Sequence, residues 1–319
     1  VETTPVLSGW GLQGQAPGEE GMSQVLIIGV DGLVFASWLF LVSVGLSLIY
    51  GVLRILNIAH GSLFAVGAYS GASLVVAYSQ AGNWPWGTLL ALPAAALAAG
   101  LALGPLVERG VLRWTYGREP VVQLLVTFSV FLILEDAIKL LWGVSPYYAY
   151  QPYQLLGQVR IGGIDYPAYS FLLLLVAVLA GVGLWWFVRR TRFGRVVVAV
   201  IHDPEMSVAM GVNLSRVYVV TFALGAILAA VGGAFTAPMI SVVPGIGVEV
   251  IVLAFAVVVV GGLGSLEGAA VGALLIGLVR AAAVHLLPVL ELFTIYLVMA
   301  AVLLVRPLGL FGRVEVRRI

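Results

Sequence analysis

The chain has 319 residues, of which 61% are hydrophobic and 10% charged, with a mean hydropathy of +1.10, a formal net charge of +1 and no cysteine. This balance excludes a soluble globular domain, which needs a charged surface, and a nucleic-acid binder, which needs a concentrated basic face. The missing thiols exclude a disulfide framework, a thiolate nucleophile and a thiolate metal site, and what remains is an all-α polytopic membrane protein.

Residues 1–24 are polar, rich in Gly and Pro and without a basic leader region, so they read as a loose tail and not a cleavable signal. Residues 25–319 read as one transmembrane domain. A helix needs about 20 apolar residues to cross the hydrocarbon core. On that ruler the expected spans are Leu33 to Leu53, Ser62 to Tyr78, Gly87 to Val107, Val121 to Trp142 and Ala168 to Val188. They continue with Val217 to Ile240, Val250 to Val260, Ala269 to Leu287 and Leu292 to Val305. The seventh and ninth are short, as half-helices or tightly drawn spans would be, and the expected count is about eight to ten.

Basic residues in short loops favour the cytoplasmic side. Arg109, Arg113 and Arg118 follow the third span, Arg189, Arg190, Arg192, Arg195 and Arg216 follow the fifth, and Arg306, Arg313, Arg317 and Arg318 follow the ninth. Nine crossings place all three groups on one side, with the N-terminus outside and the C-terminus inside. The opposite loops, 80–86 and 143–167, carry only Arg160 as a basic residue.

Between the first two spans, Arg54, Asn57 and His60 interrupt an otherwise apolar sequence. Lipid offers no hydrogen bonds, so such a break must face protein, a cavity or the aqueous boundary. Asn57 and His60 share a face if the break is helical. They either cap and pin it or line a passage, and Gly61 and Ser62 fit a helix restart with the hydroxyl or amide as cap. Later in the chain, Pro244, Gly245 and Gly247 precede the short seventh span, and residues 261–268 (GGLGSLEG) follow it. That span is either a discontinuous helix with free backbone N–H groups or a tilted, tightly packed one. Glu249 and Glu267 flank it.

Small residues at four-residue steps, Gly225, Ala229 and Gly233, Gly264, Gly268 and Gly272, and Gly100 with Gly104, suit close helix packing in lipid. On the fourth span, Glu135 and Lys139, the only lysine, have the spacing of an intrahelical ion pair, while Thr127 and Ser129 are expected to bond their own helix carbonyls. Arg280 and His285 lie late in the eighth span, where snorkelling to the interface is expected.

The interior connection 189–216 has its own punctuation. Asp203 suits an N-cap, Pro204 the first helical position and Glu205 the positive helix end, and Gly211 with Asn213 supplies a stop. A short helix from Pro204 to Met210 results, with Met206, Ala209 and Met210 on an apolar side that has no core to bury against. Such a face fits either a groove on another protein or the bilayer surface. Ser215 is the expected cap of the next span.

No P-loop motif occurs, so this chain does not hydrolyse ATP in that manner, and residues 261–268 lack the Rossmann glycine order and context. His60, His202 and His285 stand apart from one another and from carboxylate pairs, which argues against a metal centre or a catalytic triad. Nothing in the sequence indicates an enzyme.

Residues 45–69 (GLSLIYGVLRILNIAHGSLFAVGAY), 203–233 (DPEMSVAMGVNLSRVYVVTFALGAILAAVGG), 257–279 (VVVVGGLGSLEGAAVGALLIGLV) and 306–312 (RPLGLFG) resemble the LivH-type permeases of bacterial high-affinity branched-chain amino-acid ABC importers. The resemblance implies a permease subunit of the bacterial cytoplasmic (inner) membrane. It also implies a LivM-like second permease, two cytoplasmic ABC ATPases that hold ATP and magnesium, and an extracytoplasmic substrate-binding protein. The helix from Pro204 then corresponds to an ATPase-coupling helix, and Gly211 to the family's glycine after it. No cofactor is expected in this chain. Urea or short-chain amide permeases share much of the pattern and form the alternative within the class. An ATP-independent secondary transporter or channel, or a non-transport scaffold, is the alternative outside it.

Overall fold

The computed structural model describes residues 17–312 of the chain. Among them run twelve α-helices: α1 Pro17–Leu53, α2 His60–Gln80, α3 Gly87–Gly110, α4 Pro120–Trp142, α5 Gln151–Leu155, α6 Ala168–Arg190, α7 Arg192–His202, α8 Pro204–Ala209, α9 Leu214–Thr236, α10 Ile246–Gly261, α11 Leu266–Leu286 and α12 Glu291–Val305. Seven, α1, α2, α3, α4, α6, α9 and α11, are long and apolar enough to span a membrane, while α10 and α12 are shorter apolar helices. All nine expected apolar runs are helical, seven at spanning length and the seventh and ninth as the short ones; most ends lie within a few residues of those expected, but α1 begins at Pro17, 16 residues before Leu33.

Three local expectations change. Residues 17–24 are helical and not a loose tail, because α1 starts on Pro17, whose fixed φ suits a first helical position. The expectations for residues 1–16 and for Arg313, Arg317 and Arg318 lie outside the described residues. The sixth span ends at Thr236, not Ile240, and the chain from there to Gly245 is irregular. The Tyr-rich loop after α4 carries structure of its own, namely α5 and an antiparallel hairpin of β1 Gln158–Ile161 and β2 Ile164–Pro167.

Helix α1, 37 residues long, forms the central post and packs against α9 and α11. These contacts are close because small residues meet backbone: a Cβ at Gly45 would lie 2.8 Å from the Gly225 carbonyl oxygen, and one at Gly277 2.9 Å from the Ala36 nitrogen. On α9 the other side receives α3, with Gly100 against the Ile227 backbone and Gly104 against the Ala223 Cα at 2.7 Å. With no hydrophobic driving force between helices in lipid, this backbone approach is what holds them together. Gly264 meets Gly51, Gly268 meets Gly261 and Gly272 meets the Val257 carbonyl, so α11 is set against both α1 and α10. Gly233 is set against Phe64 of α2, and Ala229 is fully buried.

These pairings fix the helix directions. Gly45 meets Gly225 while Val42 meets Gly232, so α1 and α9 are antiparallel; Gly67 meets Ala230 while Gly71 meets Ala234, so α2 and α9 are parallel. One end of the bundle therefore gathers Arg54, the turn after α3, the segment of α7 and α8, and the chain after α12. At that end the chain after α12 runs back as a strap, and the Leu310 and Phe311 N–H groups donate to the Val260 and Gly261 carbonyls, each at 2.9 Å. They satisfy carbonyls that the end of α10 leaves unpaired.

Candidate functional site

Two helix starts meet inside the bundle. After α1 the chain leaves helical geometry at Arg54, which has φ 55, and runs without regular structure to Ala59 before α2 begins at His60. This stretch climbs back into the bundle and is not a surface turn. The His60 Nε2 lies 2.9 Å from the Val42 carbonyl oxygen, and Val42 stands about eleven residues, ~16 Å of helical rise, before the end of α1. That depth is close to half of a ~30 Å hydrocarbon core.

The break before α10 arrives at the same level. Gly245 takes a left-handed φ of 90, a conformation that favours glycine, and α10 follows at once. Gly61 and Gly247 then face each other so closely that a methyl on Gly61 would overlap the Gly247 carbonyl oxygen. The sequence thus places Asn57, His60, Gly61 and Ser62 about 185 residues away from Pro244, Gly245 and Gly247, and the fold joins them at one backbone contact.

Helix α4 locks this joint. The Gly245 N–H donates to Glu135 Oε2 at 3.1 Å, the Ser62 hydroxyl donates to the Phe131 carbonyl at 3.2 Å, and the Thr127 hydroxyl donates to the Leu56 carbonyl at 3.2 Å. Glu135 is therefore not the partner of Lys139. It is buried against the start of α10, while Lys139 Nζ pairs with Asp136 Oδ1 at 3.0 Å on the exposed face. Spacing allowed both pairings; the packing of α10 against α4 selected the one that satisfies an orphan helix N–H with a carboxylate. Thr127 also bonds its own helix, to Leu124 at 3.0 Å, and Ser129 does so to Leu125 at 2.9 Å.

The joint is buried within this chain. Asn57, His60 and Ser62 are fully buried, and Gly61 and Gly247 are buried as well. The expected side-chain cap of α2 is absent: its N-cap residue is Ala59, and Ser62 bonds across to α4 instead. The His60 N–H meets the Asn57 backbone carbonyl at 3.2 Å, which closes the turn without the amide side chain. Both polar side-chain atoms of Asn57, the His60 Nδ1 and the Glu135 Oε1 lack a hydrogen-bond partner among the described residues. Polar atoms held without partners away from water are costly, and they mark this level of the bundle as polar.

A second feature lies at the basic end. Thr191 caps α7 by accepting the Gly194 N–H at 2.9 Å, a helix that the sequence reading missed and took as polar connection. Its Gly194, Val197 and Val200 are buried while Arg195 and His202 stay exposed. Asp203 caps α8 through the Met206 N–H at 2.9 Å, and Gly211 closes it with φ 85. Pro204, Glu205, Ala209 and Gly211 are exposed, as are Met206, Val208 and Met210 at 60%, 52% and 79%, so α8 projects an apolar knob away from the bundle. Helix α9 is capped by Asn213, whose Oδ1 accepts the Arg216 N–H at 3.1 Å, and not by Ser215. Between α7, the end of α1, the start of α11 and the C-terminal strap lies a cleft of about 980 Å³, lined among others by Arg54, Arg195, His202 and Phe311. At its rim Arg189 pairs with Glu267 at 3.0 Å.

Near the same end, the Tyr116 hydroxyl donates to Glu108 Oε1 at 2.7 Å. Burial first, and the nearby carboxyl second, push the Tyr116 phenol up, so it remains a neutral donor. At the far end Arg280 pairs with Glu291 and stacks over Phe35, and His285 lies 2.8 Å from Asp31. Both side chains end in defined contacts and do not simply snorkel. No group of three or more metal-ligating side chains occurs among the described residues.

The family described as the branched-chain amino acid transport system permease component matches residues 28–305, which contain both the joint and α8. The chain belongs to that family. It is 28% identical to the high-affinity branched-chain amino acid transport system permease protein LivH of Escherichia coli K12, over 91% of this chain and 96% of that one. With BraD of Pseudomonas aeruginosa, another high-affinity branched-chain amino acid permease, identity is 29% over the same shares. The probable permease LivH of Methanocaldococcus jannaschii is 26% identical over 88% of this chain and 90% of its own length. This chain is thus a multi-pass membrane permease subunit, and as a member of a permease family it is not itself a catalyst.

Proposed function

We propose that the chain is the permease subunit of a binding-protein-dependent ABC importer that moves branched-chain amino acids by alternating access. The carrying observation is the continuous match of residues 28–305 to branched-chain amino-acid permeases. Its partners in this reading are a LivM-like second permease, two cytoplasmic ATPases that hold ATP and magnesium, and an extracytoplasmic binding protein. The gathering of Arg54, Arg109, Arg113, Arg189, Arg195 and Arg306 toward one end supports a cytoplasmic placement of that end, and with it the C-terminus, in the cytoplasmic membrane of a bacterium.

Energy enters in this reading through α8. Its Met206, Val208 and Met210 present flexible apolar surface where the bundle itself offers nothing to cover them, which suits a groove on an ATPase. Asp203, Pro204, Glu205, Ala209 and Gly211 shape that knob by capping, starting and stopping it. Helix α7 carries displacement of the knob to α1 and α9, against which it packs. The joint of Asn57, His60, Gly61, Ser62, Pro244, Gly245 and Gly247 backs the pathway wall at mid-depth, where two interrupted helices meet through glycine backbone.

The test is reconstitution of the co-purified complex with its cognate binding protein and measurement of ATP-driven uptake. Leucine or valine uptake that depends on ATP is expected. Uptake of urea without leucine would replace the substrate class, and uptake by this chain alone without ATPases would overturn the mechanism.

A further inference from the structure

One carboxylate stands outside every arrangement described so far. Glu249 lies in the first turn of α10, about two residues beyond the Gly61–Gly247 contact, and so near mid-depth in the bundle. That depth has two independent supports. The His60 ring reaches Val42, about half-way along the bilayer stretch of α1, and Ser62 reaches Phe131, about eleven residues or ~16 Å after the start of α4. Glu249 is nonetheless exposed on the surface of this chain, and no hydrogen bond or ion pair reaches it among the described residues.

Among the described side chains, the other acidic groups along the spanning helices have partners. Glu135 takes the Gly245 N–H, Glu108 the Tyr116 hydroxyl, Asp136 the Lys139 ammonium and Asp31 the His285 ring. A carboxylate facing hydrocarbon at mid-depth costs several kcal/mol, so an outward carboxylate at that level faces water or a polar partner. Its neighbours on the same helix face, Val248 at 50% and Val252 at 39% exposure, are apolar and branched-chain sized. The surface therefore combines a single anionic point with apolar flanks, the pairing that a zwitterion with an aliphatic side chain needs for its ammonium group and its hydrocarbon.

We propose that Glu249 lines the aqueous passage between this chain and a second permease subunit, and that its carboxylate accepts the α-ammonium group of the amino acid in transit. This inference rests on the function proposed above. It assigns to the exposed start of α10 the substrate contact that the buried joint behind it cannot make. The joint then acts as the support that fixes where Glu249 stands: Gly247 against Gly61 sets the depth, and Glu135 on Gly245 holds the first turn in place.

The absence of cysteine from the chain makes a direct test available. In the reconstituted complex, Glu249→Cys and, as a comparison on the exposed face of α6, Leu175→Cys are treated with a water-soluble cationic thiosulfonate, and modification of this chain is read by mass spectrometry. Labelling at 249 at least about tenfold faster than at 175, and slower when the loaded binding protein is present, is the expected result, because a thiol in hydrocarbon is neither ionised nor reached by a cation. Equal labelling at the two positions overturns the placement. In parallel, Glu249→Gln should lower leucine uptake at least about tenfold, the loss expected for one charge-assisted hydrogen bond, with the same amount of assembled complex in the vesicles, and Glu249→Asp should restore most of the uptake. Unchanged leucine uptake by Glu249→Gln overturns the ammonium contact. If the unsubstituted complex moves urea and no amino acid, the function proposed above fails and the ammonium contact fails with it, whereas the thiol measurement still decides whether position 249 meets water.

Discussion

Glycine at position 61 is required by contact and not by conformation, and Gly61→Ala tests the mid-depth joint with the smallest possible change. An added methyl would overlap the Gly247 carbonyl oxygen and would lie 2.9 Å from the Ile251 Cβ and 3.1 Å from the Gly247 carbonyl carbon. Carbon atoms rest at ~3.5–4.0 Å, so α2 and α10 must part by roughly 0.5–1 Å. Overpacking of this kind costs about 1–3 kcal/mol, against which the better helix propensity of alanine returns up to ~1 kcal/mol. At roughly 2–4 °C per kcal/mol, the apparent melting temperature of the detergent-solubilised complex should fall by several degrees. Fluorescence-detected size-exclusion chromatography after a heating series measures it. Gly183→Ala on α6 is the control, since a methyl there meets nothing within 4 Å, and it should leave the midpoint unchanged or raise it slightly. Uptake should fall along with stability in Gly61→Ala alone, because the joint sets the register of the passage wall. Equal midpoints and equal uptake for the two variants would refute the close backbone contact and the role built on it.

The same measurements separate two adjacent carboxylates. Glu135→Ala leaves the Gly245 N–H without an acceptor and should cost about 1–3 kcal/mol, whereas Asp136→Ala removes only an exposed pair and should cost about 0–1 kcal/mol. Equal losses would mean that Glu135 does not hold α10. At the other end of the bundle, Glu205→Ala combined with Gly211→Val should reduce ATPase co-purification and uptake while membrane insertion is retained, since Gly211 has a left-handed φ that costs about 1–2 kcal/mol for other residues. Unchanged uptake in the double variant would remove α8 from the coupling route. Asp203→Ala, which deletes the cap on the Met206 N–H, should cost the short helix about 1 kcal/mol and weaken ATPase association more than Asn213→Ala, read by pull-down at fixed detergent.

Most of the architecture was legible from the sequence because lipid imposes a single severe rule: every spanning backbone must satisfy itself, so spans appear as long apolar runs. The nine apolar helices, the interruption near Asn57, the break at Pro244 and the capped helix after Asp203 all follow from local chemistry. Local chemistry also has limits. Helix α7 was not legible as a helix because its Val-rich run follows closely on the arginines after α6 and is too short to span, and only packing against α6, α1 and α9 gives its buried face a partner. Asn213 and Ser215 both suit a cap, and the choice of Asn213 depends on where the chain leaves the turn at Gly211.

The sequence by itself determined the class, the positions of the apolar helices, the basic end and the family, since each rests on composition, periodicity or short motifs that act within one or two turns. The tertiary structure alone decided what the polar residues do. It brought Gly61 to Gly247, gave Glu135 to the start of α10 and left Lys139 to Asp136, and it buried Asn57 and His60 while turning Glu249 outward. The physical reason is common to all of them. In a membrane bundle, a polar side chain acquires its role from the neighbour or the water that meets it, and that neighbour is set by helices far away in the chain, at a depth and a rotation that no local pattern encodes.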